Sequence, residues 1–232
     1  MTEQGWLTNK DPGAMLQFLR GKASDRKLRL FACEICEHLC GIICELFPKK
    51  GLTPDNEDAW KALRVAEQFA NGLLHKPDEL AAAHDAASAT LNRHRWMEYA
   101  LLSTARPSAW EAADQVAVAV DSFIADELSS DAESQQRIGA AGIGETAYEA
   151  TFLRDIFGPL PFRAVTLNPG WRTANVTALA QAIYDERAFD RMPILADALE
   201  DAGCDQTDIL NHCRQPGEHV RGCWVVDLVL GK

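Results

Sequence analysis

Two groups of residues carry side chains that could do chemistry. The first lies near the C-terminus: Cys204, His212, Cys213, His219 and Cys223, five thiols and imidazoles within twenty residues. Thiolate and imidazole are the ligand types that zinc prefers, which makes this group the candidate metal site. His219 and Cys223 are four apart and would share a helix face if the last helix began early enough. The spacing matches no established zinc-finger pattern. Two alternatives stand beside zinc: core cysteines with histidines that cap helix ends and no cofactor, or a Cys–His nucleophile pair oriented by Asp227.

The second group is Cys33, Cys36, Cys40 and Cys44. At 100° per residue these four thiols span about 80° of a helix, a single stripe. The first and last would lie about 16 Å apart along the axis, too far for one metal ion to take all four. Cys33-Glu34-Ile35-Cys36 has the spacing of a redox pair, but no strand precedes it to build a thioredoxin-like site. Small polarizable thiols suit close helix packing, so this stripe reads as core.

Other matches fail on physical grounds. Gly139 to Thr146 has the length of a phosphate-binding loop, but Glu145 stands where a lysine is needed and would repel the phosphate. No HExxH pair occurs, and Glu34, Glu37 and His38 do not form the Glu-x-x-His pair of a di-iron bundle. Trp60, Trp96, Trp110 and Trp224 read as packing anchors.

The elements that must position these residues are helices. Asp11-Pro12 starts a short one, and Ser24 starts a long one that runs to about Phe47. Within it Arg29, Glu34, Glu37, His38, Gly41 and Glu45 fall inside about 180° of the circumference and nearly everything else is apolar. Further helices are expected after Thr53-Pro54-Asp55-Asn56, after Pro77, from Trp96, after Pro107, and over about 132–157, where Gly139, Gly142 and Gly144 weaken the centre. From Gly158 to Gly170 the chain is rich in Pro and Gly, with Phe162 to Leu167 as a possible short strand. Short helices follow over 176–184, 192–200, 205–213 and 220–230. The expected organisation is all-α: a helical bundle over 1–157, a connector over 158–170 and a compact helical segment over 171–232, which could also form one continuous domain with the bundle.

Composition narrows the function. A content of 47% hydrophobic and 25% charged residues is that of an ordinary globular chain. No run of about 18 uncharged apolar residues is present, so no membrane span is expected, and the N-terminal residues do not read as a secretory signal. Seven cysteines, an odd number, suit a reducing compartment and predict a cytoplasmic protein. The net charge of -11 argues against direct nucleic-acid binding. That charge concentrates in the middle. Between Glu111 and Ala150 lie nine acids, Glu111, Asp114, Asp121, Asp126, Glu127, Asp131, Glu133, Glu145 and Glu149, against one base, Arg137. Arg20, Lys22, Arg26, Lys27 and Arg29 form a basic stretch earlier on. Both read first as solvated helix faces. The sharper reading has the acids of Glu111 to Glu133 docking a basic protein partner or the basic stretch of a second copy.

Several stretches resemble a large uncharacterised family found as many paralogues in planctomycete bacteria. At the start these are Trp6-Leu7, Asp11-Pro12, Met15-Leu16 and Ser24 to Cys33. Towards the end they are Leu153 to Gly158, Ala180 to Asp185, Arg187 to Arg191, Leu195 to Cys204 and His219 to Leu228. The likeness covers roughly the first quarter and the last third. It implies kinship and a bacterial cytoplasmic setting, with no mechanism attached. One departure is visible: relatives tend to carry a further Cys and basic residues after Cys33, where this chain has Glu34-Ile35-Cys36-Glu37-His38.

The functional expectation is a non-catalytic interaction or adaptor protein. The alternatives are a zinc-binding protein or Cys/His-dependent enzyme using the C-terminal group, and an acidic decoy or immunity-type protein that occupies a basic site.

Overall fold

A computed structural model describes residues 1–46, 57–90, 96–130, 132–140 and 147–232. The side chains of Cys44 and Glu127, and the whole of Asp131 and Glu145, lie outside that description. The fold is all-α, with thirteen α-helices and no strand among the described residues. No helix among them is long and apolar enough to cross a membrane.

The chain groups into two compact units, one of Met1 with Thr8–Ala150, the other of Thr2–Leu7 with Thr151–Lys232. The division falls inside a helix, α9 (Ala147–Phe157), whereas the sequence reading placed the seam in the connector over 158–170.

In the first unit, α2 (Pro12–Leu19) begins as expected, with the Asp11 carboxylate accepting from the Ala14 N–H at 3.0 Å and Pro12 in the first turn. The next helix, α3 (Asp25–Leu46), is capped by Ser24, whose hydroxyl accepts from Lys27 N–H at 3.3 Å. Leu30, Phe31, Cys33, Ile35, Cys36 and Cys40 of α3 are buried, and α3 packs along α7 (Ala109–Ser130). The alanines of α7 at 112, 113, 117 and 119 are buried too; their small side chains let the backbones approach closely. Around this pair stand α4 (Glu57–Ala70), α5 (Pro77–Thr90), α6 (Trp96–Ser103) and α8 (Ala132–Ala140). Burying each of the larger side chains stabilises the fold by about 1.5–3 kcal/mol.

Arg29 departs from its expected solvated face. It is buried, and its guanidinium donates to the carbonyls of Thr104 (2.7 Å), Arg106 (2.8 Å) and Pro107 (3.1 Å). Those carbonyls follow the end of α6, outside its ladder, and the guanidinium supplies them with donors. An arginine is needed there because its planar fork can reach three oxygens at once.

The second unit is built from α1 (Glu3–Thr8, to Leu7), the last two turns of α9, α10 (Ala174–Glu186), α11 (Met192–Asp201), α12 (Thr207–Arg214) and α13 (Trp224–Leu230). Its core includes Val176, Ile183, Met192, Leu195, Leu199, Ile209, Trp224 and Val226. The possible strand over Phe162 to Leu167 does not form. With no neighbouring strand to pair with, the segment runs as turn and extended chain, and Val165 and Leu167 reach into the helical core. The last helix begins at Trp224 rather than Val220, because Gly222 at φ 91° interrupts helical geometry just before it.

Candidate metal centre

Four side chains of ligand type converge in the second unit: Asp155, His212, His219 and Cys223. One ligand atom from each lies within 4.8 Å of all the others, and all four residues are buried. They come from four places in the chain. Asp155 sits in the last turn of α9, His212 in the last turn of α12, His219 in the loop that follows, and Cys223 at the N-cap of α13.

Local rules put each one there. The end of α9 is closed by Gly158 at φ 50°, whose N–H donates to Arg154 O at 2.8 Å. No larger residue fits, since a Cβ at this position would meet the Trp224 ring at 2.5 Å. Trp224 can therefore lie against the helix end that carries Asp155. The ring of His212 is flanked by Trp224 (centroids 5.1 Å apart) and by His219 (4.9 Å).

Asp155 is the hub. Its Oδ1 accepts from His219 Nδ1 at 2.6 Å and lies 3.1 Å from His212 Nε2, while Oδ2 accepts the Val220 N–H at 2.9 Å. His212 Nε2 is also 3.2 Å from Cys223 Sγ, and its Nδ1 is hydrogen-bonded to the Gln215 side-chain amide at 3.2 Å. Burial pushes the Asp155 carboxyl up, but its hydrogen bonds to His212 and His219 and the charge of those rings outweigh that, leaving it below the usual carboxylate range. Burial, reinforced by the Asp155 charge, holds the Cys223 thiol well above its ordinary value. The Nε2 atom of His219 is buried and has no hydrogen-bond partner.

The residues anticipated here therefore divide. His212, His219 and Cys223 meet, though by way of a loop and a helix cap rather than a shared helix face. Cys204 and Cys213 stand apart from the converging group, within the apolar core; burial pushes the Cys213 thiol up to about 12 and raises that of Cys204. The carboxylate that meets the imidazoles is Asp155, not Asp227. Asp155 lies 57 residues before His212 and escaped notice. Its signal was faint: a lone acid next in sequence to Phe152, Leu153, Ile156 and Phe157 but outside the arc of the helix that they fill.

A cavity of about 360 Å³ adjoins the centre, with Asp155, His212, Gln215 and Trp224 in its wall. No protein-family model, no curated protein and no solved structure matches the chain. The chemistry of the side chains is what remains to argue from.

In the first unit, Glu111, Asp121, Asp126 and Glu133 are exposed and Asp114 is half-buried. Glu149 is not on a solvated face: it is buried, and one of its oxygens lacks a hydrogen-bond partner. The Cys33, Cys36 and Cys40 side chains are buried, as a packing stripe would be.

Proposed function

We propose that this chain is a zinc-binding protein whose second unit closes on one metal ion through Asp155, His212, His219 and Cys223. The observation that carries the reading is the convergence of these four buried ligand atoms within 4.8 Å. Two imidazoles, a thiolate and a carboxylate make a borderline-soft set suited to zinc. The charges also balance: a dication with one thiolate and one carboxylate leaves a buried site with no net charge, which lowers the cost of burying ions.

Ligand atoms around a tetrahedral zinc stand about 3.3–3.6 Å apart, given bond lengths of roughly 2.0–2.3 Å. The contacts of 2.6 to 3.2 Å would open by about 0.1–1.0 Å, and the wider pairs, within 4.8 Å, would close towards the same spacing. The Val220 N–H keeps Asp155 Oδ2 occupied and leaves Oδ1 for the metal.

A Cys–His nucleophile is the weaker use of the same atoms. A reactive thiolate needs access and a lowered pKa, and Cys223 is 0% exposed with its pKa raised. Four protein ligands also describe a closed, structural site rather than one with a position kept for substrate.

The test is metal content by mass spectrometry on untagged protein purified without chelators. One zinc per chain is expected, lost in Cys223→Ser and in His219→Ala. Metal-free wild-type protein that also fails to take up cobalt, read from its visible absorption, would end the proposal.

A second reading concerns α7. Glu111, Asp121 and Asp126 are exposed there around Val118, itself 50% exposed, which supports an adaptor role in which this face meets a basic protein partner. An acidic decoy would use the same face and differ only in what it meets.

A further inference from the structure

We infer that Gln215 is a positioning residue for this centre, one that supports His212 in either of its two neutral tautomers; the inference rests on the zinc reading above. Gln215 follows α12 directly. Its backbone N–H donates to Asn211 O at 2.8 Å, and its side chain reaches back to His212, where the amide nitrogen lies 3.2 Å from Nδ1. Pro216 comes next and stiffens the backbone.

The Oε1 end of the amide would accept from a ring protonated on Nδ1, and its NH₂ end donates to Nδ1 of a neutral ring that carries its proton on Nε2. That proton faces two acceptors, Asp155 Oδ1 at 3.1 Å and Cys223 Sγ at 3.2 Å. A metal ion bound by Nε2 needs the lone pair there instead. The ring stays neutral only if the proton leaves Nε2 and one is taken up at Nδ1. An amide still presenting NH₂ would then face an N–H.

Glutamine resolves this by turning its amide end over end, so that Oε1 accepts from the new Nδ1–H. The two ends have nearly the same shape, and the residue is exposed and borders the 360 Å³ cavity, so the rotation meets no packed wall. The ring itself is held between Trp224 and His219 and need not move. Other side chains would commit to one state. A carboxylate would hold the proton on Nδ1 and favour the metal-bound form. A thioether of similar length would leave the Nδ1–H without its partner, and partners of this kind are worth roughly 10–100-fold in metal affinity.

The experiment uses the full chain as wild type, Gln215→Glu and Gln215→Met. Zinc affinity is read by competition with a chromophoric chelator, and the His212 tautomer by long-range ¹H–¹⁵N correlation with and without zinc. Wild type should carry the His212 proton on Nε2 without metal and on Nδ1 with it. Gln215→Glu should bind zinc about tenfold more tightly and Gln215→Met about tenfold more weakly. The opposite signs matter, because an added charge alone would tighten the first and leave the second unchanged. Equal affinities and identical tautomers in all three proteins would overturn the role of Gln215. If none of the three binds zinc, the zinc reading fails. The role of Gln215 then stands if Gln215→Glu moves the metal-free proton to Nδ1, and falls if it does not.

Discussion

Asp155 and Glu149 lie six residues apart on the same helix, α9, and are 2% and 1% exposed. Burial is nearly equal, yet the two carboxyls are driven in opposite directions. Asp155 has two imidazoles and a backbone N–H around it and sits below the usual carboxylate range. Glu149 has an oxygen without a partner; burial first, and then the charge of Asp121, push it up to about 8. Partners, not depth, decide whether a buried acid is an anion that organises a site or a neutral acid that tolerates one. Asp155 is the centre of a constellation. Glu149 is a proton-binding group with one buried oxygen left without a hydrogen bond.

The largest effect should come from breaking the better-connected acid. Asp155→Ala leaves two imidazoles and the Val220 N–H buried without their acceptor, and is expected to cost about 3–5 kcal/mol of stability, the usual penalty for removing one partner of a buried ionic network. Urea unfolding of the metal-free protein measures this without involving zinc. A loss below about 1 kcal/mol would mean that the carboxylate is as poorly supported as that of Glu149.

Glu149 should behave in the opposite sense. Its folded pKa lies above the ordinary value of 4.5, at about 8, so between those limits the unfolded chain releases a proton that the folded chain keeps. Stability from this group is therefore fully present below about pH 4.5 and is lost as pH rises towards 8. The slope should be about 1 kcal/mol per pH unit, roughly 3 kcal/mol between pH 5 and pH 8. Glu149→Gln cannot ionise and should flatten that dependence, making the variant more stable than wild type at pH 8. Parallel pH profiles for the two proteins would show that Glu149 ionises freely in the fold.

The contrast also marks what the sequence could reveal. Helices were legible because apolar spacing and breakers such as Asp11-Pro12 and Pro77 act locally. The gathering of His212, His219 and Cys223 was half legible: ligand types crowd into a short stretch, but Gly222 and the late start of α13 decide how they meet. Asp155 was not legible as a member of this cluster, since its distance from them is closed by the packing of Trp224 over Gly158, a tertiary event. Arg29 was misread for the same reason. A charged residue on an apolar helix looks solvated until the carbonyls it serves, 75 or more residues away, are in place.

The acids of α7 complete the comparison, and their effect on stability should be the smallest. Glu111 and Asp126 of α7 and Glu133 of α8 are exposed, and a change at an exposed charge usually moves stability by no more than about 0.5 kcal/mol. Reversing all three to lysine should therefore leave urea unfolding nearly unchanged. Asp121 is left out of the set because its charge bears on Glu149, and reversing it would alter a buried titration as well as the surface. If α7 serves as a docking face, the triple variant should lose capture of a basic partner that wild type retains at low salt, and wild type should lose it as salt is raised. Capture that survives both charge reversal and high salt would move the interaction elsewhere. A large stability loss would place these acids with Asp155, among the carboxylates whose partners hold the fold together.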